Sequence, residues 1–375
     1  MRENAITKHL SLGEIGPRVL VKESIAIEGL VTRCGSAAFA DAPVEPCHAA
    51  IVEKVLTRAQ VIGTVTMHEL AFGVTGINDY AGTAVNPHWP DRITGGSSSG
   101  CAAAVANHIC DFAIGTDTGG SIRQPACCCG VFGLKPTFGA IDRRGAIPRS
   151  STLDVIGPLA ATAPMLTTAA AVMIDGFTPT RIEAPKLKQI VVQADDDIQE
   201  ALLKALAPVN VPQIALPSFA EAYAAGLTLI NAEIAAEFGQ LARSNATMGP
   251  DVRPRILAAL TVTPAQVNEA EEIRARFTAE VDAALEGVDA LVLPTLPCVP
   301  PTLDEARDPV ALLPLTRLVR PFNLSGHPAL TLPLRTRDGL PAGLQLVGRY
   351  GAEATLCAVA EHLAASQPSA SELPA

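Results

Sequence analysis

Three short segments of this 375-residue chain hold groups that could carry out acyl-transfer chemistry. The apolar run Val19-Leu20-Val21 ends in Lys22, followed by Glu23-Ser24-Ile25. An ammonium at such a place must reach water, find a partner or give up its proton, because an isolated buried charge is strongly unfavourable. Gly95-Gly96-Ser97-Ser98-Ser99-Gly100 runs directly into a helix of small residues, Cys101 to Ile109. A loop of this kind at a helix start can aim backbone N–H groups and hydroxyls at negative charge. Gly115-Thr116-Asp117-Thr118-Gly119-Gly120-Ser121-Ile122-Arg123 places a serine behind two glycines. The glycines let the backbone turn so that several N–H groups point one way, as an oxyanion hole requires. Asp117 and Arg123 flank that turn and can pair across it, although a solvated turn aspartate is the commoner case.

Each segment alone has a plainer reading: a strand-end lysine reaching water, a flexible loop, a solvated turn. Gly96-x-Ser98-x-Gly100 also fits the nucleophile elbow of α/β-hydrolases, which needs a strand immediately before it. Asn86-Pro87-His88-Trp89-Pro90 precedes the loop instead, and two prolines argue against a strand there. The loop lacks the Gly-Lys-Ser/Thr ending of a phosphate-binding P-loop. The nine cysteines include no C-x-x-C pair. Cys127, Cys128 and Cys129 are adjacent and are read as buried small side chains. His68, His88, His108 and His327 lie near the motifs without ligand spacing, so neither metal nor cofactor is expected. A serine hydrolase with a histidine base is the rival that would need one of them.

Taken together, the three segments resemble the amidase signature family. The likeness continues through Cys129-Gly130-Val131-Phe132-Gly133-Leu134-Lys135-Pro136-Thr137, Leu291-Val292-Leu293-Pro294-Thr295 and Asn323-Leu324-Ser325-Gly326-His327-Pro328-Ala329-Leu330. It thus covers nearly the whole chain. The resemblance implies a Ser–Ser–Lys triad, with Ser121 as nucleophile, Ser97 as bridging serine after a cis Gly96–Ser97 peptide, and Lys22 as base. It further implies an oxyanion site on the backbone N–H groups of Thr118, Gly119, Gly120 and Ser121. The implied fold is α/β, a mixed, mostly parallel central sheet covered by helices on both faces. The implied reaction is hydrolysis of a small-molecule carboxylic amide to acid and ammonia or amine through an acyl-enzyme.

Two departures from the family pattern stand out. Glu23 follows the lysine where the family usually has aspartate, and only 21 residues precede Lys22 where several dozen helical residues are usual. The short form is similar to compact amidases that include plant indole-3-acetamide hydrolases, and it leaves a homodimer open. Ureide hydrolysis of the allophanate or carboxybiuret type is one alternative. The glutaminase component of a tRNA-dependent amidotransferase is another. There, an aspartate for the glutamine amino group lies seven residues before the asparagine of Asn-Leu-x-Gly, and here the position is Thr316. An inactive scaffold with the same fold is the remaining class. Met67, Phe72 and Ser98, around the serine loop, are expected to line the substrate pocket.

The elements that must hold these groups are strands at 18–22, 61–65, 112–114, 190–192 and 290–293, and a final hairpin at 329–332 and 344–347. Helices are expected at 49–58, 101–109, 156–175, 198–207, 221–244, 264–285 and 355–365, with loops at 73–100 and 115–123. The chain is read as a single domain over 1–375, with a more helical lobe at about 180–285 and a frayed tail at 366–375. Apolar residues make up 48% and charged residues 18%, which supports a large core and argues against disorder. A net charge of −10 argues against nucleic acid as a partner, since phosphate neutralisation needs a basic face. No apolar run is long enough to span a bilayer, and no signal peptide is visible, so the expected setting is cytoplasmic and off the membrane.

Overall fold

Val19 and Val21 pack into one apolar cluster while Leu20, between them, packs into another. That alternation marks a strand buried on both faces, and it sets the plan of the molecule. The computed structural model describes residues 4–207, 209 and 211–366. Eleven strands form one sheet. In chain order they are β1 Ile6–Leu12, β2 Arg18–Lys22, β3 Gln60–Val65, β4 Phe112–Asp117, β5 Phe132–Lys135, β6 Val155–Ala160, β7 Leu187–Ile190, β8 Gln213–Ile214, β9 Ala290–Pro294, β10 Ala329–Arg335 and β11 Pro341–Val347. Across the sheet the order is β1-β3-β2-β4-β6-β5-β10-β11-β9-β7-β8.

Helices cover both faces. Ala50–Val55, Ala163–Met173, Asp196–Leu206 and Glu353–Ala365 bury their apolar sides in the cluster that holds Val19 and Val21. Ser99–Ala106 and Arg123–Cys129 pack on the opposite face with Leu20, and Phe219–Arg243 and Pro264–Ala284 continue that layer over Leu291 and Leu293. The expected mixed sheet between helices is therefore present, and the final hairpin pairs Ala329 with Val347 through Arg335 with Pro341. The balance of directions departs from the expected parallel majority. β3-β2-β4 and β9-β7-β8 are parallel trios, and every other neighbouring pair is antiparallel.

Three further expectations change. The stretch 156–175 is a strand, β6, and then a helix from Ala163; Thr162 caps that helix by accepting from Met165 N–H. β4 runs on to Asp117, into the expected loop. Within 180–285 the strand expected at 190–192 is β7, at Leu187–Ile190, and β8 extends the central sheet beside it. Of the frayed tail, 367–375 lies outside the described residues. Among the described residues no helix is long and apolar enough to cross a membrane.

Candidate active site

The carboxyl ends of parallel neighbours β2 and β4 bring Lys22 and Thr116 to one place. Ligand sites in sheets of this kind form beyond that end of the strands. Lys22 shares the sheet face of Leu20, against the small-residue helix Ser99–Ala106, and it is fully buried. Its Nζ donates to Ser97 Oγ at 2.7 Å and to Thr116 Oγ1 at 2.7 Å. Both acceptors are neutral hydroxyls. Burial therefore dominates and lowers the Lys22 pKa from 10.5 to about 8, against weaker upward pulls that include Asp154 and Asp117.

The serine loop is tied down on each side of Ser97. Gly96 N–H donates to Gln124 Oε1 at 2.9 Å, and the Ser97 carbonyl accepts from His68 N–H at 3.1 Å. The Gly96–Ser97 peptide is cis. The helix that follows lies so close to β3 that a Cβ on Gly100 would stand 2.4 Å from the Thr66 carbonyl oxygen. Glycine, cysteine and alanine in this helix permit that approach.

Asp117 organises the turn that carries Ser121. Its carboxylate accepts from Gly120 N–H at 2.8 Å, Ile122 N–H at 3.1 Å and Arg123 N–H at 3.3 Å. The Arg123 side chain adds Nε at 3.0 Å and Nη2 at 2.9 Å, and Asn323 Nδ2 adds a bond of 2.7 Å. Asp117 and Arg123 are both fully buried, so the expected pairing across the turn is present without the solvated alternative. Despite its burial, Asp117 is held well below the ordinary carboxylate pKa by Arg123 and these donors. Gly120 has φ +119°, and a Cβ there would strike Val319 Cγ2 at 2.3 Å, so only glycine fits. Replacing Asp117 by alanine strands the Arg123 guanidinium and is expected to lower unfolding free energy by about 3–5 kcal/mol. Chemical denaturation reads this, and a loss under about 1 kcal/mol would show that the pair does not hold the turn.

Of the four N–H groups expected to face an oxyanion, that of Gly120 is thus taken up by Asp117. Those of Thr118, Gly119 and Ser121 meet no acceptor among the described residues. Ser121 is 9% exposed, and its carbonyl accepts from Ser98 N–H at 3.3 Å, which clasps the two loops together. Its hydroxyl has no hydrogen-bond partner among the described residues. Ser98 is fully buried and braces the site from within, with Oγ 3.2 Å from the Thr116 carbonyl, and Met67 is fully buried with its side chain against Gly35. Phe72 lies under the Arg255 guanidinium, 4.4 Å from its ring centre.

Thr116, Gln124, Asn323 and Arg320 are polar groups of this region that the motifs did not single out. Asn323 opens the Asn-Leu-x-Gly segment at the other end of the chain, whose pattern does not show that it meets Asp117, and Arg320 carries no local signal. Thr116 could have been found, as the residue beside Lys22 once β4 is extended. The rings of His68 and His327 are engaged elsewhere than at Ser97 and Ser121: His68 Nε2 reaches Asp251 at 3.3 Å, and His327 is stacked on Tyr350 with Nε2 3.1 Å from Asp282. Cys127, Cys128 and Cys129 are buried free thiols whose pKa values burial raises.

The chain is similar to known proteins over most of its length. The family model described as Amidase matches residues 15–215 and 200–357. The chain is 33% identical to a glutamyl-tRNA(Gln) amidotransferase subunit of Halobacterium salinarum, over 92% of this chain and 94% of that protein. It is 33% identical to fatty acid amide hydrolase of Medicago truncatula, over 80% of this chain and 56% of that protein. A solved structure described as an amidase superposes with TM-score 0.88 at 29% identity, covering 98% of this chain and 93% of that one.

Proposed function

The chain belongs to the amidase family, and from that premise we propose that it hydrolyses a carboxylic amide of a small molecule to the acid and ammonia or an amine, with Ser121 as nucleophile. The observation that carries this reading is Lys22. It is a fully buried lysine bonded at 2.7 Å to the Ser97 hydroxyl, with a pKa lowered to about 8. A neutral lysine is a base, and serine needs one to become nucleophilic.

Neutral Lys22 takes the proton of Ser97 as Ser97 takes that of Ser121. The relay closes when the free Ser121 hydroxyl turns toward Ser97. Ser121 Oγ attacks the amide carbon, and the carbonyl oxygen becomes negative against the uncommitted N–H groups of Gly119, Ser121 and Thr118. The relay returns its proton to the leaving nitrogen as the C–N bond breaks. A water then loses its proton to the same relay, attacks the acyl-Ser121 ester and releases the acid.

The relatives are named for different substrates, so the substrate has to be read from the pocket. Thr316, which stands where the resemblance implied an acid for an amino group, accepts from Arg320 Nη2 at 2.6 Å. A hydroxyl bonded to a guanidinium gives an ammonium no counter-charge, which favours a plain amide over glutamine.

A fluorophosphonate probe tests the nucleophile. Ser121 is expected to carry the label, located by peptide mass spectrometry. Labelling at Ser98 would replace this reading by the elbow geometry.

A further inference from the structure

The relay leaves one buried charge without a role. Arg320 precedes the short helix Pro321–Leu324 and is only 8% exposed. Its Nη2 is bonded to Thr316, but Nε and Nη1 are buried with no partner among the described residues. The guanidinium lies 4.4 Å over the Tyr223 ring, and its stem runs along the helix Phe219–Arg243 at Gly226, where a Cβ would meet Arg320 Cγ at 3.0 Å. These contacts fix the head group, and none supplies an anion.

The head group borders the nucleophile turn. A Cβ built on Gly119 would lie 3.6 Å from Arg320 Nε and 3.1 Å from Ile230 Cδ1. The preceding residue, Val319, packs on Gly120, and its carbonyl accepts from Arg123 Nη1 at 2.7 Å. The unpartnered donors are thus held beside Gly119, two residues before Ser121. Burial lowers the Arg320 pKa, Tyr223 opposes that shift, and the like charge of Arg255 adds weakly to it. Arg255 is itself bonded to the Phe72 carbonyl at 2.7 Å.

A buried guanidinium with open donors is unfavourable until an anion completes it. Nη2 spends one of its two hydrogens on Thr316, and its second lies on one edge with Nε–H, so that edge of the fork matches a carboxylate with two parallel bonds. We propose that Arg320 is a specificity residue that receives a carboxylate on the acyl part of the substrate, so that the enzyme acts on monoamides of short dicarboxylic acids. This rests on the reading of Ser121 as the nucleophile. The placement beside Gly119 sets the carboxylate close to the scissile carbonyl, so a short acyl chain fits and a long alkyl chain does not.

The test compares malonamate, succinamate and glutaramate with their neutral diamides, which match them in size. For the best chain length, wild-type kcat/KM is expected to favour the carboxylate form about 100-fold or more. In Arg320→Gln that ratio is expected to fall to about fivefold or less, and Arg320→Lys, which keeps the charge without the fork, is expected to fall between. A second arm needs no turnover: succinate is titrated calorimetrically into Ser121→Ala and into the double variant Ser121→Ala/Arg320→Gln, with circular dichroism verifying the fold of each. Binding about 100-fold weaker in the double variant is the expected result. If either glutamine variant fails to fold, its lysine counterpart and competition by succinate against succinamide on the native protein carry the decision. Equal wild-type rates on monoamide and diamide, or an unchanged ratio in Arg320→Gln, would overturn the assignment while leaving amide hydrolysis standing. Succinate binding that depends on Arg320, in a protein that cleaves none of these amides, would overturn the monoamide specificity and leave Arg320 as a carboxylate site only.

Discussion

Replacing Ser121 by alanine is expected to lower kcat by on the order of 10⁴-fold or more, because the covalent step is lost and only binding and oxyanion contacts remain. Stability should barely move. The Ser121 hydroxyl has no partner to lose among the described residues, and the backbone bond from Ser98 N–H to the Ser121 carbonyl at 3.3 Å survives the change. Thermal unfolding separates loss of chemistry from loss of fold. Residual activity above about 1% of wild type, with hydrolysis still single-site, would mean that another group attacks the amide.

Lys22→Met is expected to remove about 10²–10⁴-fold of the rate, the usual range for a positioned base. Its sharper signature is in pH. With a pKa of about 8, Lys22 is mostly protonated at neutral pH, so wild-type activity should climb about tenfold per unit below that value and level off above it. The variant should lack that limb. Stability carries the same ionisation with a definite sign. Between about 8 and 10.5 the unfolded chain holds a proton on Lys22 that the folded chain has released. The unfolded state then binds more protons, so stability rises with pH across that window. Below about 8 the full penalty applies, and the shift from 10.5 amounts to ~3 kcal/mol. Lys22→Met escapes this penalty, so its stability relative to wild type should be most favourable at neutral pH and decline toward pH 10.5. An unchanged pH–rate profile in Lys22→Met would rule out lysine as the base.

What the sequence made legible is what lies close together in the chain. Gly119-Gly120-Ser121 and Gly95–Gly100 are local patterns whose backbone demands appear in the residue types themselves. Lys22 was visible because a charge closing an apolar strand needs an explanation. β6 was not legible. Val155-Ile156-Gly157-Pro158-Leu159-Ala160 is buried on both faces, so it lacks alternation, and a buried strand of this kind cannot be told from a buried helix by periodicity. β1 failed for the opposite reason: its central residues Thr7, Lys8 and His9 are exposed at the sheet edge, and Lys8 interrupts the alternate apolar positions Ile6, Leu10 and Leu12. Arg320 was beyond reach because it meets the nucleophile turn only through tertiary folding, and Asn323, though it opens a legible segment, gives no sign of its bond to Asp117, 206 residues away. A positive charge in an apolar-flanked segment is unremarkable until its partners are seen to be missing.

The Asp117–Arg123 pair has a consequence for when the enzyme switches on. Arg123 Nη1 also donates to Gln345 Oε1 on β11, 222 residues further along, and Arg123 Nη2 donates to Asn323 Oδ1 at 2.6 Å. A ribosome-bound chain that has not yet exposed this C-terminal segment already carries Lys22, Ser97 and Ser121. It lacks the acceptors that hold the Arg123 fork, and so it lacks the frame that shapes the nucleophile turn. On the proposed reading, catalytic competence then belongs to the finished chain, and a nascent or C-terminally clipped product is expected to bear Lys22, Ser97 and Ser121 and remain silent.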